Sequence, residues 1–225
     1  DAIRSRGLGD VYKRQMQKSA KRTIRAILQK HKIGIFGDYD VDGASATALL
    51  ANFFNSINVP YEIYIPDRKK EGYGPSIESF KKLIDKGTKL IFTVDCGTLS
   101  FDAIDFAFNN DIDVIVLDHH QSEINLPKAH SIVNPNRLDD KSDLKYLCAA
   151  GVTFMFLISL NKELRSNDWF IKSKITEPNL LEYLDLVALG TVCDVVPLVG
   201  LNRAIVSQGL KTVSYTHLTL PTMYT

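Results

Sequence analysis

Three cysteines in 225 residues are too few, and too scattered, for the chemistry that cysteine most often announces. Cys96, Cys148 and Cys193 form no CxxC pair and are odd in number, which argues against a disulfide framework and a zinc site and fits a reducing cytosol. Long apolar runs are missing as well. None reaches the roughly 18 residues of a membrane span, and no signal-peptide pattern opens the chain, so the expectation is a cytoplasmic protein with no membrane partner. Net charge is nearly absent too: 27 Lys+Arg stand against 26 Asp+Glu. No whole-chain basic field therefore points to nucleic acid, and any such contact has to come from a local patch. What is present is a globular composition, 45% hydrophobic and 24% charged, which excludes disordered and fibrous classes and predicts one domain with room for the start of a second.

Both ends read differently from the middle. Residues 5–15 and 213–222 resemble translated sequencing-adapter read-through and are set aside from fold reasoning. The expectation is a non-native tail over 1–15, a domain over 16–212 that is incomplete on its C-terminal side, and a second such tail over 213–225.

Between them, apolar residues follow two periods. Ile24, Ile27 and Leu28 recur at helical spacing among Lys and Arg and predict an amphipathic helix over 16–30. Short apolar strands are expected at 33–36, 60–65, 90–94 and 114–117. Helices are expected at 44–54, 76–86 with Ser76 as N-cap, and 100–109. Strands alternating with helices of this length predict an α/β fold, a mostly parallel sheet flanked by helices. Beyond Ile132 the pattern turns helical, with 149–160 and 180–189 apolar enough to be buried.

Three of the four expected strands end in acidic groups. The first runs into Gly37-Asp38-Tyr39-Asp40-Val41-Asp42-Gly43, the third into Asp95-Cys96-Gly97-Thr98, the fourth into Asp118-His119-His120. Ligand sites of open parallel sheets lie outside the carboxyl ends of the strands, so these groups are expected on one rim. An Asp-rich loop by itself is a solvated turn, since Asp and Gly are turn residues. Three carboxylates within five residues nonetheless repel one another unless a cation is present. Calcium sensing is excluded: the twelfth position of an EF-hand needs a bidentate Glu, and here it is Leu49. Asp95 by itself could cap the next helix, and an isolated His pair is usually a surface feature. Imidazole beside carboxylate suits Mn²⁺ or a similar first-row cation better than Ca²⁺. Asp194, inside the apolar run 186–198, either meets a cation or caps a helix. A metal reading joins all four elements.

GDYDVDG at 37–43, TVDCGT at 93–98, VIVLDHH at 114–120 and LGTVCDVVPL at 189–198 together resemble the four motifs of the DHH phosphoesterase superfamily. Within it, the form of the first motif, the segment from Pro66 to Gly74 with Arg68 and EGYG, and the G-x-N-R ending at Arg203 resemble the RecJ exonucleases. Other branches usually carry a His four residues before the first metal-binding Asp, where this chain has Phe36.

The resemblance implies two Mn²⁺ or Mg²⁺ ions. Asp40 and Asp95 would hold one, with Asp38 helping to fill the place of the missing imidazole. Asp42, Asp95, His119 and Asp194 would hold the other, and Asp95 would bridge. It further implies that His120 faces the scissile phosphate, that Asp118 orients a histidine, and that Arg68, Tyr73 and Arg203 contact nucleic acid, although a packed Tyr73 and a structural Arg203 remain open. The activity implied is 5′-to-3′ exonuclease hydrolysis of single-stranded DNA in repair or recombination, with repair or replication proteins as possible partners. A DHH phosphoesterase acting on oligonucleotides, pAp or cyclic dinucleotides, or a non-catalytic DHH scaffold, stand as alternatives.

Overall fold

The computed structural model describes residues 10–216, with side chains from 11 to 211. A five-stranded sheet of order β2-β1-β3-β4-β5 organises the chain, with every pairing parallel. Its strands are β1 (Lys32–Gly37), β2 (Tyr61–Tyr64), β3 (Thr88–Val94), β4 (Asp113–Leu117) and β5 (Ser131–Val133). Parallel neighbours require crossovers, supplied by α2 (Val41–Ser56), α3 (Ile77–Asp85) and α4 (Phe101–Asn109). The remaining helices are α1 (Asp10–Leu28), which precedes the sheet, and α5 (Ala149–Ser166), α6 (Trp169–Ser173), α7 (Leu184–Cys193) and α8 (Gly200–Thr216), which follow it.

Each central strand is buried on both faces, which is why its sequence is a continuous apolar run rather than an alternation. Ile33, Ile35, Leu90, Phe92, Ile115 and Leu117 face a core built with α1, α2, α5 and α7. Phe36, Ile91, Val114 and Val116 face a smaller core with Phe80 and Leu83 of α3 and Ile104 of α4. Ser76 caps α3 as expected, in a reciprocal capping box with Ser79.

Three features depart from the sequence reading. The sheet gains β5, whose three residues are too few to show a period of two. Neither the short α6 nor the long α8 is among the expected helices. Helix α1 starts at Asp10, and Tyr12 is buried with its N–H donating to Asp140 Oδ2 at 2.7 Å. The boundary expected at residue 16 thus falls inside a continuous helix, while residues 1–9 and 217–225 of the expected tails lie outside the described residues. Ser19 bonded to Ser131, and Arg22 paired with Asp113, tie α1 to the far edge of the sheet.

For function, the decisive property is the strand order. Going from β1 the chain moves outward to β2, then crosses back to β3 on the other side. The carboxyl ends of β1 and β3 therefore flank a topological switch point, where the connecting helices diverge and leave a crevice.

Candidate metal centre

The loop leaving β1 carries three aspartates in three different environments. Asp40 is the N-cap of α2, and its Oδ1 accepts the Gly43 N–H at 2.9 Å. Asp42, in the first turn of α2, is buried against the start of α5. Its two oxygens accept the N–H groups of Ala149 and Ala150 at 2.6 and 2.9 Å, at the positive end of that helix. Burial still raises the Asp42 carboxyl above the usual range, against the pull of these amides. Asp38 is buried as well, is raised by burial, and leaves its Oδ1 without a hydrogen-bond partner.

Asp95 follows β3 in the left-handed region, φ +60°, uncommon for a residue other than glycine. Its N–H is anchored to the Leu117 carbonyl at 3.0 Å and its own carbonyl accepts the Tyr73 hydroxyl at 2.9 Å. Gly97, φ +107°, completes the turn; a Cβ there would lie 2.4 Å from Thr93 Oγ1. Asp95 Oδ1 lies 3.3 Å from His119 Nε2 and 3.9 Å from His120 Nδ1 and has no hydrogen-bond partner. Burial, then the charges of Asp42 and Asp40, push the Asp95 carboxyl up to about 10.

After β4, Asp118 behaves in the opposite way. Its Oδ1 accepts the N–H of His119 at 2.7 Å, the N–H of His120 at 3.2 Å and bonds His120 Nδ1 at 2.8 Å, while Oδ2 accepts the Thr98 N–H at 3.0 Å. Burial alone would raise Asp118, but these bonds, His120 foremost, hold it down to about 2. The same contact raises His120, whose side chain is half exposed. The histidine that Asp118 orients is thus His120.

Asp194 ends α7 as its C-cap. Its Oδ2 is 3.7 Å from His119 Nε2, which is also 3.8 Å from Asp42 Oδ2, and it too is buried without a hydrogen-bond partner. Helix α7 reaches the site because Gly190 has no side chain: a Cβ would stand 2.7 Å from Asp42 Oδ1 and 2.8 Å from Ala150 Cβ.

These residues resolve into overlapping sets whose ligand atoms lie within 4.8 Å of one another: Asp38 with Asp40 and Asp95, Asp42 with His119 and Asp194, and Asp95 with both histidines. Three of their oxygens, Asp38 Oδ1, Asp95 Oδ1 and Asp194 Oδ2, are buried and unpartnered. A buried carboxylate with an unused oxygen is costly unless a cation meets it, so the donor set fits divalent metal. Two of the clusters share a bridging candidate in Asp95, and His119 and Asp95 are adjacent.

The other expected contacts scatter around this focus. Arg68 stacks over Tyr39 at 5.2 Å, within the loop that carries Asp38 and Asp40. Tyr73 is exposed, but its hydroxyl is engaged with Asp95 and lies 3.3 and 3.4 Å from the two ring nitrogens of His120. Arg203 is exposed on α8, and among the described residues no hydrogen bond or ion pair ties its side chain to the cluster. Thr98, Asn134 and Asn136, which bond to Asp118 or to the histidine backbone, were passed over in the sequence, because side-chain bonds to main-chain groups leave no pattern in it. An open cavity of about 740 Å³ lies between the first turns of α3 and α4 and is lined by none of the cluster residues. Its lining sets Glu71, Glu78 and Asp102 against Lys70, a poor seat for a phosphate chain.

Residues 32–191 match the family described as DHH family, N-terminal domain. The single-stranded-DNA-specific exonuclease RecJ of Dickeya dadantii is 43% identical over 188 residues, 83% of this chain and 33% of that protein. RecJ of Escherichia coli is 40% identical over 199 residues, 87% of this chain and 34% of that protein. This chain spans about a third of the length of these relatives. Among solved structures, exonuclease RecJ bound to manganese superposes with a TM-score of 0.75 at 33% identity, covering 87% of this chain and 47% of that one. With the sheet order, the rim of acidic strand ends and these matches in agreement, the chain belongs to the DHH family and carries its N-terminal domain.

Proposed function

We propose that this chain is the metal-dependent catalytic domain of a single-stranded-DNA exonuclease that digests from the 5′ end, with two Mn²⁺ or Mg²⁺ ions as cofactors. The observation that carries this reading is the convergence of three unpartnered, buried carboxylate oxygens, from Asp38, Asp95 and Asp194, on one rim at the switch point. The relatives are named single-stranded-DNA-specific exonucleases, and the solved RecJ structures similar to this chain include a manganese-bound form and a magnesium-bound form.

Asp38, Asp40 and Asp95 would hold one ion, and Asp42, Asp95, His119 and Asp194 the other. A bound pair of divalent ions would supply Lewis acidity, able to lower the pKa of a water and to offset charge on phosphoryl oxygens. In the hydrolysis a water oxygen bonds to phosphorus, the P–O ester bond breaks, and the departing oxygen ends protonated. His120 contributes a charge-stabilising donor to this change: Asp118 fixes its ring, and the raised pKa keeps it cationic over a wider pH range. Asp118 acts through the histidine pair, fixing the His120 ring and taking the main-chain N–H of His119 and of His120. Arg68, with its guanidinium beside the ligand loop, is suited to phosphate oxygens, and Tyr73 and Arg203 are read as further strand contacts.

On this reading the protein works in the cytoplasm in DNA repair or recombination, alongside repair or replication proteins. Support for the compartment is the unpaired state of all three cysteines, and no helix among the described residues is long and apolar enough to cross a membrane.

The test is hydrolysis of single strands carrying a 5′ or a 3′ label, with Mn²⁺ present and with EDTA. The reading expects mononucleotide from the 5′ label first, and none in EDTA. Release from the 3′ label first, or cleavage confined to dinucleotides, would replace the substrate assignment.

A further inference from the structure

We infer that Asn134 and Asn136, just past β5, are positioning residues for the histidine pair, acting through its main chain. The inference rests on the metal reading above. Asn134 is fully buried, and its Nδ2 donates to the His120 carbonyl at 2.8 Å and to Thr98 Oγ1 at 2.9 Å. Its Oδ1 accepts the Asn136 N–H at 2.7 Å, and Asn136 Nδ2 in turn donates to the His119 carbonyl. The amide N–H groups of the same two histidines are taken by Asp118. Each histidine thus has both main-chain groups bonded, the donors by one carboxylate and the acceptors by two carboxamides.

Physical necessity for this grip follows from the local backbone. His119 and His120 lie past the last residue of β4, in a loop with no ladder hydrogen bonds to hold it. Yet His119 Nε2 has to stand between Asp42, Asp95 and Asp194, at 3.3 to 3.8 Å from each. A loop that frays by an ångström loses that focus. Asparagine is the side chain suited to the task, since its NH₂ donates to carbonyls while its oxygen accepts, and it brings no charge to a site already rich in carboxylates. Thr98, bonded through its N–H to Asp118 and through Oγ1 to Asn134, extends the same network to the Asp95 turn, so one set of hydrogen bonds links the ends of β3, β4 and β5.

Groups that orient a ligating imidazole, without touching metal themselves, typically change metal affinity by 10- to 100-fold when removed. The test is Mn²⁺ binding to the purified chain, followed by the loss of the free-ion electron paramagnetic resonance signal at a temperature well below unfolding. Asn136→Ala, at a half-buried position, should raise the dissociation constant about ten-fold. Ser122→Ala is the control: Ser122 bonds the Asn136 carbonyl and the Leu138 N–H in the same loop but touches neither histidine, and should leave the constant unchanged. Asn134→Asp, which keeps the shape and loses the NH₂ donor, should weaken binding at least as much as Asn136→Ala. Wild-type affinity in a folded Asn136→Ala, or equal weakening in Ser122→Ala, would overturn the inference and leave the metal reading intact. Failure of the wild-type chain to bind Mn²⁺ would overturn both.

Discussion

The turn after β3 and the turn after β4 each open with a buried aspartate, Asp95 at 2% exposure and Asp118 at 1%, on neighbouring strands of one sheet. Desolvation acts on both in the same sense, yet one carboxyl is pushed up to about 10 and the other is held at about 2. What separates them is donors. Asp118 receives three main-chain N–H groups and an imidazole, enough to stabilise its charge inside the protein. Asp95 faces three other aspartates, Asp42, Asp40 and Asp118, and has an oxygen with no partner. The first arrangement is complete as it stands and fixes geometry. The second is complete only when positive charge arrives, which is the mark of a ligand rather than of a strut.

The sharpest way to break this comparison is to remove each carboxylate in turn. Asp95→Ala should reduce Mn²⁺-dependent hydrolysis by about 10³-fold or more, since the ions contribute several kcal/mol of charge stabilisation in the transition state. Single-turnover rates check it, and near wild-type turnover would end the bridging assignment. Asp118→Ala should instead show its main effect in stability. It leaves buried N–H groups unpaired and should lower the unfolding free energy by roughly 3 kcal/mol in urea titrations. Metal-free Asp95→Ala should be no less stable than wild type. Equal destabilisation by the two substitutions would erase the distinction.

A smaller effect lies in pH dependence, measured on the chain in EDTA. A carboxyl raised in the folded state holds its proton while the unfolded chain loses it, so stability falls as pH rises from about 4 toward 10 for Asp95. Asp38, Asp42 and Asp194 are raised as well and add to the same slope. Asp118 has the reverse sign: its contribution is present above about pH 4 and is lost as pH falls toward 2. Urea midpoints between pH 5 and 9 should therefore decline in wild type and decline less in Asp95→Asn. Superimposable profiles would show that Asp95 does not carry the burden assigned to it.

Much of this was legible in the sequence because each ligand motif is attached to an apolar strand end. The runs 33–36, 90–94 and 114–117 announce strands, and a parallel sheet brings their carboxyl ends together whatever their separation in the chain. Asp38, Asp40, Asp42, Asp95, His119 and Asp194 are accordingly found around one focus. Other features carry no such signal. β5 is three residues long, and Leu28, which shares the helical spacing of Ile24 and Ile27, is 65% exposed at the last position of α1. Asn134 and Asn136 grip main-chain carbonyls, which any residue type offers, and Thr98 meets Asp118 through its own main-chain N–H. The Asp42 contact with the start of α5 depends on how two helices meet, and the approach of α7 to both depends on the absence of a side chain at Gly190; both are tertiary facts.

The central claim is that the clustered carboxylates and His119 form one two-cation site bridged by Asp95. Calorimetric titration of Mn²⁺ into the wild-type chain and into Asp95→Ala tests it most directly. Two ions per wild-type chain, with both sites weakened by the single substitution, is the result expected. No uptake by the wild type, or a pair of sites indifferent to the loss of Asp95, would contradict it.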